Sequence, residues 1–146
     1  MATVYELPSE EGVLRVSLDG ELVKDVGDLP PLLRSTFAIL TAYNPRSMLL
    51  PRRVNEGRHQ VMRDLLILGC YRVEHCLGYD EEPDGVWREP AWVAHGIGRE
   101  EAIDFGRTFR QNTIVYCADA RPELIVTDPT CDEVGKSFQG NWRVRQ

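Results

Sequence analysis

No apolar run in this chain approaches the ~20 residues that a membrane-spanning helix needs. The longest aliphatic stretch is Leu65-Leu66-Ile67-Leu68. The start, Met1-Ala2-Thr3-Val4-Tyr5-Glu6, lacks the charged-then-apolar build of a secretory signal. A soluble, cytoplasmic protein is therefore expected, with no membrane partner. Cys70, Cys76, Cys117 and Cys131 show no C-x-x-C spacing, which argues against a structural zinc site and for four free thiols acting as small hydrophobes. Neither common phosphate-binding glycine loop occurs. Ser47 stands in no glycine elbow, so a serine hydrolase has no support. Basic charge is also short: a net charge of −6 excludes wrapping of nucleic acid by the whole surface. The basic-aromatic box of sheet-type RNA readers is missing, so no sequence-specific nucleic acid is expected as partner.

What remains is an ordinary globular balance, 42% hydrophobic and 27% charged, in 146 residues. That is one domain's length, with enough chain to bury a core. Residues 1–146 divide into an N-terminal β extension (1–35), an α+β core (36–127) and a polar tail (128–146) whose one large anchor is Trp142. In the extension, two alternating runs flank Pro8-Ser9-Glu10-Glu11-Gly12, and Asp19-Gly20 is a second hairpin signal leading into Leu22-Val23. Phe37-Ala38-Ile39-Leu40-Thr41-Ala42-Tyr43 reads as a central strand buried on both faces, closed by Asn44-Pro45. Val54, Val61, Met62, Leu65 and Leu66 fall at helical spacing over 53–68, with Gly69 as the stop. Strands at 71–79 and 90–97 flank the turn Asp80-Glu81-Glu82-Pro83-Asp84-Gly85. A second helix opens at Gly98, its acids at the positive end. Strands at 113–117 and 123–127 follow.

The order of elements over 36–117 spells a ferredoxin-like split β-α-β-β-α-β core, with the N-terminal β extension and an added C-terminal strand. In such a sheet the end of the first strand meets the starts of the third and fourth. That would gather residues distant in sequence at one edge.

Thr41-Ala42-Tyr43-Asn44-Pro45-Arg46-Ser47 matches a T-A-aromatic-N-P-x-S pattern. Asn55, Gly69, Glu89-Pro90 and Gln111-Asn112 follow in the order of a later helix Asn, a glycine helix end, E-P-S and Q-N. In these motifs, covering about residues 37–117, the chain resembles a short bacterial family classed only as a domain of unknown function. Two positions depart from the pattern: Ala91 replaces the serine after E-P, and Thr113 replaces a small residue after Q-N. The resemblance implies no activity.

The candidate binding set is Tyr43, Asn44, Ser47, Asn55, Glu89, Gln111 and Asn112. Either these groups form a small polar pocket, with Glu89 its charge, or they form a network tying loops to strand ends. Seven arginines between Arg34 and Arg72, against Glu56 and Asp64, leave that segment at +5. It is either a solvated face or an anion-binding one, centred on Arg46, Arg52, Arg53 and Arg58. His75 and His95 on paired strands would share the apolar face as diagonal neighbours, without a carboxylate at ligand spacing. His59 is expected to face water. No metal or cofactor is expected.

Two functions fit. One is a non-catalytic binding or regulatory module for a small polar or anionic ligand or a protein partner. The other is an enzyme of unassigned reaction with Glu89 as general acid or base, aided by Asn44 and Gln111. Burial that raises the Glu89 pKa favours the enzyme; exposure or a tight ion pair favours the module.

Overall fold

The computed structural model of the protein describes residues 3–19, 26–80 and 87–145. Gly20, Leu22-Val23 and the turn residues 81–85 lie outside them. Strands β1 (Thr3–Ser9) and β2 (Gly12–Asp19) form a hairpin in which Gly12 takes φ +116°, a conformation only glycine adopts readily. A single helical turn, α1 (Pro31–Arg34), begins on proline. Then come β3 (Phe37–Leu40), α2 (Arg52–Leu68), β4 (Arg72–Asp80), β5 (Arg88–His95), α3 (Arg99–Thr108), β6 (Thr113–Ala118) and β7 (Arg121–Val126). The segment expected to be a polar tail adds β8 (Ser137–Gln139) and β9 (Asn141–Arg145).

A ferredoxin-like α+β domain is not what forms. All nine strands join one sheet in the order β8-β7-β6-β3-β5-β4-β1-β2-β9, every neighbour pair antiparallel. The N-terminal hairpin is no appendage, since β1 pairs along β4 and continues the sheet. Strands β8 and β9 pair at opposite edges, yet only Gly140 separates them. The two edges must therefore meet, and the sheet is a nearly closed, barrel-like structure. Trp142 of β9 occupies the join. Its ring stacks on Phe37 at 5.9 Å and its indole N–H donates to Cys117 Sγ at 3.4 Å. Local patterning foretells strands but not which strand each will pair with, and here the terminal pairings turn a flat expectation into a curled one.

Closure separates two cores. Leu7, Val16, Phe37, Val93, Val115 and Trp142 fill the interior, capped by Leu33 of α1. Ala38, Leu40, Trp92, Ala94 and Tyr116 point outward and are covered by Met62 and Leu66 of α2 and by Ala102 and Ile103 of α3. Phe37–Leu40 is continuously apolar because its alternate residues enter these two cores. On α2 the apolar residues divide: Met62 and Leu66 are buried, whereas Val54, Val61 and Leu65 are exposed on a second stripe. The cysteines are free; Cys76 and Cys117 are interior, and Cys70 is exposed. No helix among the described residues is long and apolar enough to cross a membrane.

His59 is buried, not water-facing. It stacks on Trp92 at 4.1 Å and meets the edges of Tyr43 and His75, and neither ring nitrogen has a hydrogen-bond partner. Burial, aided by His75, lowers its pKa from 6.5 to about 4. The folded state therefore binds the proton less readily than the unfolded state, and stability is lost as pH falls from about 6.5 toward 4. His59→Phe keeps the stack and removes this titration. The difference in urea midpoint between the variant and the wild type should therefore grow in the variant's favour as pH falls through that window.

The α3–sheet contact depends on Gly106. A Cβ there would stand 2.7 Å from Ile114 Cγ2 and 3.0 Å from Thr127 Cγ2. Gly106→Ala should destabilise by about 1–3 kcal/mol despite alanine's better helix propensity. Denaturant titration checks this, and unchanged stability would mean that α3 can shift freely.

Candidate functional site

At one mouth of the curled sheet five strands bring side chains to a cavity of about 470 Å³, within the range of small-molecule sites. Its floor is the interior core, at Ile39, Ala91 and Val115. Strand alternation then places the next inward residues around the opening: Thr41 after β3, Glu89 on β5, Thr113 on β6, Gly78 and Asp80 on β4, and Thr3 and Tyr5 on β1. Tyr5, Gly78 and Glu89 lie in one cross-strand row. A Cβ on Gly78 would meet the Tyr5 ring at 3.3 Å, so the glycine lets the tyrosine lie over β4.

Glu89 is the unusual group. It is partly buried and has no basic partner among the described residues. Desolvation, reinforced by the nearby Asp80 carboxylate, raises its pKa from 4.5 to about 7, while hydrogen bonds from Trp87 and Thr41 oppose that rise. The same burial, with the negative charge of Asp80 and Glu89, raises the Tyr5 phenol well above its usual value. Thr3 Oγ1 donates to Asp80 Oδ1 at 3.1 Å.

The opposite rim is the loop after β3. Asn44, Arg46 and Ser47 all have positive φ, at 46°, 52° and 59°. Asparagine tolerates this; arginine and serine do so at a cost. Hydrogen bonds hold the shape. Asn55 Oδ1 accepts from Asn44 N at 2.9 Å, and Asn55 Nδ2 donates to Asn44 Oδ1 at 2.7 Å. Leu50 N also donates to Asn44 Oδ1, and Arg46 N donates to the Arg110 carbonyl at 2.8 Å. Asn112 Nδ2 donates to Ser47 Oγ at 2.9 Å. Gln111 Nε2 donates to the carbonyls of Tyr43 and Phe109, at 3.1 and 3.2 Å.

Of the seven sequence-chosen residues, Asn44, Ser47, Glu89, Gln111 and Asn112 line the cavity. Asn55 is buried behind it as a loop tie, and Tyr43 contributes its carbonyl while its ring packs against His59. Three of the four arginines at the entry to α2 have partners within the protein. Arg46 donates to the Gln111 carbonyl and lies 3.5 Å from Asp128, Arg52 pairs with Glu56, and Arg58 donates to the carbonyls of Ala42 and Phe109. His75 and His95 sit opposite Trp92 and Arg72 respectively, and strand alternation turns them to opposite faces. His95 instead bonds Glu74 at 2.8 Å. Among the described residues no group of three or more His, Cys, Asp or Glu could hold a metal ion. Sequence reasoning placed the strand end at Gly78-Tyr79 beside the site but missed Tyr5, Asp80 and Trp87. Alternation marked Tyr5 and Gly78 as strand residues, but nothing local linked the N-terminal hairpin to β4.

Fold and cavity define a class: a small, curled antiparallel sheet with an acidic, partly enclosed cavity at one mouth. The family described as "Protein of unknown function (DUF3293)" matches residues 40–114, just over half the chain, and the protein belongs to it. No curated protein and no solved structure matches the chain. The matched segment holds β5 with Glu89 and ends on β6; Thr3 and Tyr5 lie outside it.

Because folding raises the Glu89 pKa, the folded state holds a proton that the unfolded state releases between about pH 4.5 and 7. Stability from this group therefore declines as pH rises through that window. Glu89→Gln should raise stability at pH 8 by roughly 1–3 kcal/mol and leave it unchanged below pH 4. Melting curves across pH check this, and a variant equal to wild type at both ends would mean that the carboxylate is fully solvated.

Proposed function

We propose that the cavity binds a small polar molecule and that Glu89 exchanges a proton with it, making the protein a small enzyme of the general acid–base type. One observation carries this: a carboxyl group without a counter-ion among the described residues sits in a preformed cavity, where burial lifts its pKa to about 7. A group with that affinity is populated in both forms near neutrality, the condition for efficient proton transfer. Trp87 and Thr41 lie beside it and favour its ionised form. Tyr5, its phenol kept neutral, offers a proton donor beside it. The strained loop at Asn44–Ser47 supports a site held in one geometry at a cost in stability.

A binding module without chemistry is the second reading, and a specific observation favours it. The side chain of Asn44, expected to assist catalysis, is tied by its Oδ1 to Asn55 and Leu50. Turnover separates the two. With a substrate found by metabolite screening, kcat/KM for an enzyme should follow ionisation of a group near pH 7, and Glu89→Gln should reduce kcat by about 10²–10⁴-fold with the fold intact. Saturable binding without product, weakened by Glu89→Gln, would leave the module.

A further inference from the structure

We propose that the ligand of this cavity is an organic cation bearing an ammonium or guanidinium group; this rests on the cavity being a ligand site. The charged side chains lining it are Asp80 and Glu89, with no lysine, arginine or histidine among the described lining residues. An anion would meet two carboxyl groups and no compensating charge among the described lining residues, whereas a cation would be attracted by both and would cut their net charge by one.

A second observation agrees. Gln111 is only 7% exposed and lines the cavity. Both carbonyls within reach of its amide, those of Tyr43 and Phe109, are met by Nε2, which fixes the orientation of the group. Its Oε1 is left as an acceptor without a partner among the described residues. Ligand-facing acceptors thus come from three strands or strand ends, and acceptors call for a donor-rich ligand. An ammonium carries three donors and a guanidinium five. Aromatic rings complete the match. Tyr5, seated over Gly78, and Trp87 line the same space, and ring faces attract cations within about 6 Å. A neutral polyol would satisfy the acceptors but leave the two acids repelling each other. A carboxylate or phosphate would add to that repulsion.

The test uses the full chain and three probes of similar shape and different charge: phenethylamine, phenethyl alcohol and phenylacetate, with agmatine as a guanidinium probe. Binding is followed by shifts of the Gly78 backbone and Gln111 side-chain amide resonances at fixed ionic strength. Phenethylamine and agmatine should bind at least about tenfold more tightly than the alcohol, and phenylacetate should not bind. Asp80→Asn and Glu89→Gln should each cut amine affinity by about tenfold, while the double variant should bind the alcohol as well as the amine. Amine affinity should also strengthen as pH rises through 7 and Glu89 ionises. If the alcohol or phenylacetate shifts the same resonances as strongly as the amine, the cation assignment is overturned while the site stands. If no probe of any charge shifts them, the site itself is overturned. Amine affinity undiminished in the double variant places the binding elsewhere and also rejects the proposal.

Discussion

The join at Trp142 governs everything inside the sheet. One residue, Gly140, separates strands that pair at opposite edges, so the chain's last element can form only if the sheet curls until its edges meet. Trp142 fills that seam against Phe37 and Cys117. A tryptophan buries a large apolar area and needs a partner for its N–H; here a thiol supplies one. Once the seam is closed, inward residues of β1, β2, β3, β5 and β6 can share one dry interior, which a flat sheet would leave half solvated. The same curvature turns Tyr5, Asp80 and Glu89 toward a common opening.

That opening sets electrostatics against packing. Two carboxyl groups face an apolar floor with no basic residue among the described lining residues to neutralise them. A fold selected only for stability would replace Glu89 by a neutral residue or supply an arginine, of which the protein has many nearby. Instead Arg46 and Arg58 are spent on backbone carbonyls of the rim, holding loops in place at a distance from the acids. Uncompensated charge in a cavity is costly to stability, and the proposed function rests on that cost.

The rim shows how rigidity is obtained without regular structure. Three non-glycine residues in the left-handed region would not persist in a free loop. Reciprocal amide bonds between Asn44 and Asn55 anchor the loop to α2, and Gln111 and Asn112 anchor it to the start of β6. The scaffold reading offered by the sequence is realised in these bonds, and four of the residues that tie the rim, Asn44, Ser47, Gln111 and Asn112, also line the cavity.

Much of this was legible one segment at a time. Helical spacing located α2 within a residue, the unbroken apolar run at Phe37 announced a strand covered on both sides, and the hairpin of β4 with β5 followed from its flanking patterns. Five of the seven chosen polar residues do line one cavity. What could not be read was long-range. The sequence shows Tyr5 as one aromatic in an alternating run, with no sign that it will cover Gly78, and it shows 128–146 as a polar tail. His59 has the polarity of a surface residue, yet tertiary packing stacks it on Trp92. The sequence by itself determined the presence and order of the strands and helices from β3 to β7, because alternation and helical spacing are local properties of the backbone. Tertiary structure alone decided which strands pair beyond neighbouring hairpins, hence the closure, the burial of Glu89 and the cavity, because that pairing is settled by interior packing among residues up to 130 positions apart.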